Sequence, residues 1–202
     1  MAGSFRDPMV GRDLLIGATI GLAHSSIIAL GGLATSWFGI NLPPPMTSNP
    51  IAFMGMRFIL GAFLNGFVVL SIFVGFAFLF VLLLLFIILR RNWLAALVMF
   101  LLVAVVEVAA FATSRPIGYV LGSLAIAFLV VTVVAKFGLL ATMSFQLVFF
   151  ITMAYPLTAD LTSWFASSTY FAITMILGLA IYGFYTSLGG QRIFAGNLLK
   201  DD

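Results

Sequence analysis

Residues 67–89 read FVVLSIFVGFAFLFVLLLLFIIL: no charge, no proline, one glycine (Gly75), and then Arg90-Arg91-Asn92-Trp93. At 1.5 Å per residue a helix of this length reaches about 35 Å, against about 30 Å of hydrocarbon in a bilayer. A buried helix in a water-soluble protein is rarely so long and so apolar on every face. The run therefore reads as a transmembrane helix, stopped at the interface by Arg90, Arg91 and Trp93.

The rest of the chain agrees. Hydrophobic residues make up 63% of it and charged residues 7%, against about 25% charged in average soluble chains. A water-facing surface cannot be built from so few charges, so the expected fold is all-α and polytopic. With 202 residues, one bundle of about six transmembrane helices fits, with no sizeable soluble domain. The polar N-terminus, MAGSFRDPMVGRD, and the length of the apolar run after it argue against a cleaved signal peptide.

Span one is expected over 13–40, with Asp13 capping its start. Residues 41–50, NLPPPMTSNP, cannot be regular helix. Residues 51–66 read as an outer approach, either an interfacial turn or an extension of span two at 67–89. Spans three to six follow at 93–113, 117–135, 138–155 and 170–188. Lys136-Phe137-Gly138 is a tight return, which makes spans four and five antiparallel neighbours. Trp164 and Tyr170 stand where interface anchors belong.

Charge orients the bundle. With six spans both termini share one side, together with Arg6, Arg12, Arg90, Arg91, Lys136, Arg192 and Lys200; Arg57 and Arg115 occupy the other. The positive-inside rule then makes the termini cytoplasmic. The expected home is a bacterial inner membrane.

Few residues can carry chemistry. Glu107 lies within a span, at a cost of about 2.5–3.5 kcal/mol unless it has a partner or a cavity. Arg57 is its candidate partner if spans two and three are adjacent. His24 is the only histidine and falls near mid-membrane, so a His24–Glu107 proton relay is one reading. The plainer one is a structural ion pair and a packed, neutral imidazole. Ser25 and Ser26 can bond back to the preceding turn. Gly17 with Gly21, and Gly118 with Gly122, are GxxxG pairs that suit close helix packing within the chain. The phenylalanines read as lipid-facing bulk.

Other classes are excluded by what is missing. Zero cysteines rule out disulfides, thiolate metal sites and cysteine nucleophiles. One histidine cannot build a zinc protease site or a bis-histidine haem. No serine nucleophile with a plausible base, P-loop, dinucleotide fingerprint or kinase motif is present. No basic cluster interleaved with aromatics suggests nucleic acid. The expected protein is not an enzyme and takes no cofactor. It is a membrane anchor, scaffold or sensor whose partners are the lipid bilayer and other membrane subunits. The alternative is a small transporter or channel with Glu107 and His24 near its pathway. A weaker one is a pigment- or quinone-associated subunit.

Two stretches carry a resemblance: FRDPMVGRDLLIG at 5–17, and PLTADLTSWFASS at 156–168 leading to YGFYTSLGGQRIF at 182–194. They resemble the C-terminal membrane region of bacterial serine/threonine-kinase-type receptor proteins. The resemblance implies a six-span module that follows a cytoplasmic kinase domain. That domain is absent here, so none of its catalytic residues carries over. The chain is then a stand-alone relative of the module or a fragment beginning at its first span.

Overall fold

The computed structural model describes residues 7–37, 55–111, 118–155, 157, 158, 160, 162, 163 and 166–189. Every regular element among them is helical: α1 (Pro8–Trp37), α2 (Met56–Gly61), a π-helical turn (Ala62–Val68), α3 (Val69–Leu89), α4 (Asn92–Phe111), α5 (Gly118–Ala154) and α6 (Ala166–Ser187). Five helices are long and apolar enough to cross a membrane: Pro8–Leu33, Met56–Leu89, Asn92–Ala109, Val120–Ala154 and Ala166–Ser187. The expected spans four and five are one of these five, with a break inside it.

α1 starts earlier than expected. Asp7, not Asp13, caps it: Asp7 Oδ1 accepts the Met9 amide at 2.9 Å, and Pro8 takes the first helical position, where its missing N–H costs nothing. Asp13 instead pairs with Arg12 at 3.0 Å. Residues 56–66 continue directly through the π-turn into α3, which settles that part of the approach segment as an extension of span two. Residues 51–54 of that segment lie outside the described residues. α6 begins at Ala166, so Tyr170 is inside the helix rather than ahead of it. Trp164 lies outside the described residues.

α3 ends on Arg90, in the left-handed region at φ 52, ψ 8, with its amide bonded to the Phe86 carbonyl at 3.1 Å. α4 begins two residues later. The short connection makes α3 and α4 an antiparallel pair.

The break in α5 falls at Gly138, at φ 77, ψ −158. Glycine alone occupies this region without strain. It separates an arm over 118–137 from an arm over 139–154. In one straight helix, residues 122 and 152 would stand about 45 Å apart. Yet α1 reaches both within two residues: Ile27 Cγ2 lies 3.5 Å from the β-position of Gly122, and Ser25 Oγ is hydrogen-bonded to Thr152 Oγ1. The chain therefore folds back on itself at Gly138.

The second arm is the centre of the bundle. α1 runs parallel to it at very close range: a Cβ on Gly17 would collide with the Ala141 carbonyl, and one on Gly21 would lie 2.8 Å from the Phe145 carbonyl. Ser144 Oγ donates to the Leu14 carbonyl at 2.9 Å. α3 descends antiparallel on another side, from Phe67 against Phe150 and Tyr155 to Gly75 against Met143. α6 is antiparallel to α1. Gly11 sits against Gly183 and Ser187, and Pro8 packs on Gly189. One core joins Leu82, Met99, Val103, Ile126, Val130, Val133, Ala141 and Phe145; a smaller one joins Ile59, Ile151, Tyr155 and Phe171.

Several phenylalanines face outward, as expected of lipid-facing bulk: Phe73, Phe76, Phe80, Phe128 and Phe184 are exposed. Others are not bulk at all. Phe63 and Tyr155 each meet Phe171 edge-on, at centroid distances of 5.3 and 5.6 Å.

Candidate functional site

The expected polar site of Glu107, His24 and Arg57 is not assembled. α3 and α4 diverge from the turn at Arg90–Arg91, so Glu107 stands opposite residues 74–75 of α3. Arg57 lies a further 17 or so residues up that helix, about 25 Å away along the axis. An arginine side chain cannot span this. The one ion pair among the described residues is Arg12–Asp13. Glu107 is half-buried and has no hydrogen-bond or ionic partner among the described residues, although Arg115 lies outside them.

His24 is deeply placed, 2% exposed on the face of α1 that meets the second arm of α5. Its ring stacks on Phe149 (centroids 4.1 Å apart, planes 7° apart) and lies near-parallel to Phe145 at 5.6 Å. Neither Nδ1 nor Nε2 has a hydrogen-bond partner among the described residues. No hydrogen bond or ion pair joins it to Glu107. The spacing Gly17-Gly21-His24-Ser25 explains the placement. Small residues bring the α1 backbone onto α5, and the imidazole one turn later fills the slot between two phenylalanines.

Around His24 the α1–α5 seam is polar but locally satisfied. Ser25 donates to the Gly21 carbonyl and meets Thr152, which itself bonds back to Val148 and Phe149. Thr142 bonds to the Gly138 carbonyl at 2.7 Å. Ser25, Thr142 and Thr152 each close on their own helix, the economical solution where water is scarce, while Ser144 crosses the seam to the Leu14 carbonyl.

Of the expected packing glycines, Gly17 and Gly21 make the tightest part of this seam. Gly122 makes an ordinary contact with Ile27. The surroundings of Gly118 lie outside the described residues. Gly11 and Gly75 do equivalent work without any GxxxG spacing to announce it. Of the anchors, Arg90, Arg91 and Trp93 are exposed at the α3–α4 turn.

At the opposite end, Arg57 and Asn65 line a cavity of about 510 Å³ with Phe58, Gly61, Ala62, Gly66 and Phe67. Nearby, Asp160 Oδ1 accepts from both the amide and the hydroxyl of Thr162. Those bonds hold the Asp160 carboxyl below its ordinary range. Tyr155 O–H donates to the Ile59 carbonyl at 2.8 Å. Among the described residues no three His, Asp or Glu gather into a metal-binding set. Compared with known protein families, curated proteins and solved structures, the chain matches none.

Proposed function

We propose that this chain is a six-crossing, non-enzymatic membrane module that anchors, scaffolds or senses on behalf of partner subunits, with both termini on the cytoplasmic side of a bacterial inner membrane. The single observation that carries it is the interior. The second arm of α5 is packed on one side by α1, at glycine contacts with its backbone too tight to admit a Cβ, and on another by α3, where Gly75 lies against the Met143 side chain; the one intramembrane histidine is wedged between phenylalanines. Such an interior suits a rigid platform. The fold-back at Gly138 and the meeting of Pro8 with Gly189 support an even count of six. The resemblance of both ends of the chain to kinase-type receptor membrane regions suits the same reading.

The rival is a small transporter, and one observation favours it: Glu107 sits within a span without a described partner. The two readings separate in one experiment. The protein is purified from native membrane in mild detergent, its companions are identified, and the same preparation is reconstituted for proton and solute flux. Stoichiometric companions and no flux support the module. Flux that disappears in Glu107→Gln, from a protein that purifies alone, overturns it.

A further inference from the structure

Glu107 points into the bundle. On α4, Met99, Val103 and Ala104 are buried, while Leu101, Leu102, Val105 and Val106 are exposed. Glu107 is four residues beyond Val103 and eight beyond Met99, so helical spacing puts it in the middle of the buried stripe. It is nevertheless only half-buried, so the interior is open at its side chain. Gln146 faces the same space from the second arm of α5, which turns a separate face to each neighbour. Gly17 and Gly21 of α1 meet Ala141, Phe145 and Val148, while Gly75 and Phe67 of α3 meet Met143 and Phe150. Leu147 and Ile151 join Tyr155 and Phe171 on the α6 side. The face that is left carries Thr142 and Gln146. It lies beside α3 on the side away from α6, where α4 packs on α3 and α5.

The levels agree as well. Glu107 stands opposite residues 74–75 of α3, and Gly75 meets Met143. Gln146 is about 4.5 Å further along α5, and Ser71 about 6 Å along α3 in the same direction. Ser71 is 2% exposed, on the α5-facing stripe with Gly75, and Gln146 is 6% exposed. Gln146, like Glu107, has no hydrogen-bond partner among the described residues. The Ser71 hydroxyl donates to the Phe67 carbonyl, which leaves its oxygen able to accept. Three helices thus bring a carboxylate, a carboxamide and a hydroxyl to one level of the interior. An all-oxygen donor set suits a hard cation. A bare carboxylate in hydrocarbon is costly. One monovalent ion neutralises it, whereas a divalent ion would leave a net charge buried there.

We propose that Glu107, Gln146 and Ser71 form a sodium-binding site between α3, α4 and α5. Glu107 supplies the charge, and the Gln146 carboxamide and Ser71 hydroxyl supply neutral oxygens. The site uses a different face of the second arm from the tight α1 seam, so a rigid platform and an ion site coexist. Binding without passage gives the module an ion to sense.

The test is binding of radioactive sodium to the full chain in detergent, with choline replacing sodium at constant ionic strength. Wild type should bind sodium saturably, and Glu107→Gln should abolish this. Gln146→Leu removes one bond to a charged group and should weaken binding about tenfold. Asp160→Asn removes an acid outside the site and should leave binding unchanged. Sodium, but not choline, should also raise the melting temperature of wild type, as any ligand of the native state does. Gln146→Leu decides the matter if Glu107→Gln fails to fold. Absence of saturable binding, or binding that survives both substitutions, overturns the proposal. Stabilisation by acid with no response to sodium would make Glu107 a proton site and overturn it too. So would sodium binding that appears only in Arg115→Gln, which would show Arg115 holding the carboxylate. None of these outcomes depends on companion subunits or on flux, so the platform reading and this site can fail separately.

Discussion

At Gly17 a β-carbon would be driven into the Ala141 carbonyl and onto Ser144; both belong to the enclosed arm of α5, so neither can move aside. Gly17→Val should cost about 1–3 kcal/mol or more, the range of core overpacking, and should lower the detergent-solubilised melting temperature sharply. Gly61→Ala is the matched control. Its β-position is open, and alanine gains about 0.8–1 kcal/mol of helix propensity, so its melting temperature should be unchanged or higher. Equal destabilisation by the two would refute the assigned α1–α5 contact. His24 presents a different residue-scale question. Both ring nitrogens are buried without partners among the described residues, and an unmade bond to a buried polar group costs about 1–3 kcal/mol. The ring itself, however, is stacked and well packed. His24→Phe keeps the shape and removes the unpaired nitrogens, so it should be neutral or stabilising. His24→Ala removes the shape and should cost about 3–5 kcal/mol, as loss of a packed aromatic ring does. Thermal melts of the two variants check this. A His24→Phe protein as unstable as His24→Ala would show that the nitrogens, not the ring, hold the seam.

At the scale of elements, the decisive feature is the single residue that reverses α5. A helix from 121 to 153 without a break would place those positions about 48 Å apart. If the arms flank α1, two helix diameters separate them, about 20–25 Å. Leu121 and Met153 are both exposed, and the chain has no cysteine of its own. Spin labels on Leu121→Cys and Met153→Cys should therefore report a distance near the shorter value. Adding Gly138→Ala imposes a φ of 77° on a residue with a Cβ, at a cost of about 1–3 kcal/mol, and should broaden or lengthen that distance. A single sharp distance near 48 Å in the parent would remove the fold-back. This element also marks how far the sequence could be read. Lys136-Phe137-Gly138 announced a return, because glycine beside a charge interrupts an apolar run. Helix existence followed from hydropathy throughout. Boundaries followed less well, since Asp7-Pro8 competes with Asp13 as a start and local capping geometry decides between them. The Arg57–Glu107 pair failed for a reason of length: it required residues 56–66 to fold inward, whereas they continue the helix of α3 upward. The tight seats of Gly11, on the α6 backbone, and Gly75, on the Met143 side chain, were not legible, because no spacing distinguishes a glycine that meets a neighbouring helix from one that faces lipid. His24's burial was legible from its depth; the two phenylalanines that hold it were not.

At the scale of the whole molecule, the two ends of the described chain meet. Pro8 packs on Gly189, and Gly11 lies against Ser187 and Gly183. The Arg90–Arg91 turn and the Lys136–Gly138 return point to this same end, because α3 runs from Tyr155 toward Leu139 and the second arm of α5 starts there. Arg12, Arg90, Arg91 and Lys136 thus lie on the same side of the Gly75–Leu139 level, with the Arg90–Arg91 turn about 20 Å beyond it, and Arg57 is the described cation on the other side. A bilayer reads this arrangement electrostatically: loops rich in lysine and arginine stay on the cytoplasmic side. Placing four cations outside would oppose both the insertion bias and the inward-negative potential, worth about 2.3 kcal/mol per charge at 100 mV. Single cysteines introduced at Arg91, Lys136 and Gly189 should therefore be shielded from an impermeant maleimide in intact spheroplasts and react after lysis. A cysteine at Thr162, in the turn at the opposite end, should react without lysis. The prediction tests parity and polarity together. Five crossings would put Gly189 on the opposite side from Arg91, and a reversed bundle would exchange all four results. Opposite labelling of Arg91 and Lys136 would be the most damaging outcome, since it would separate two turns that the packing of α3 and α5 places on one side of that level.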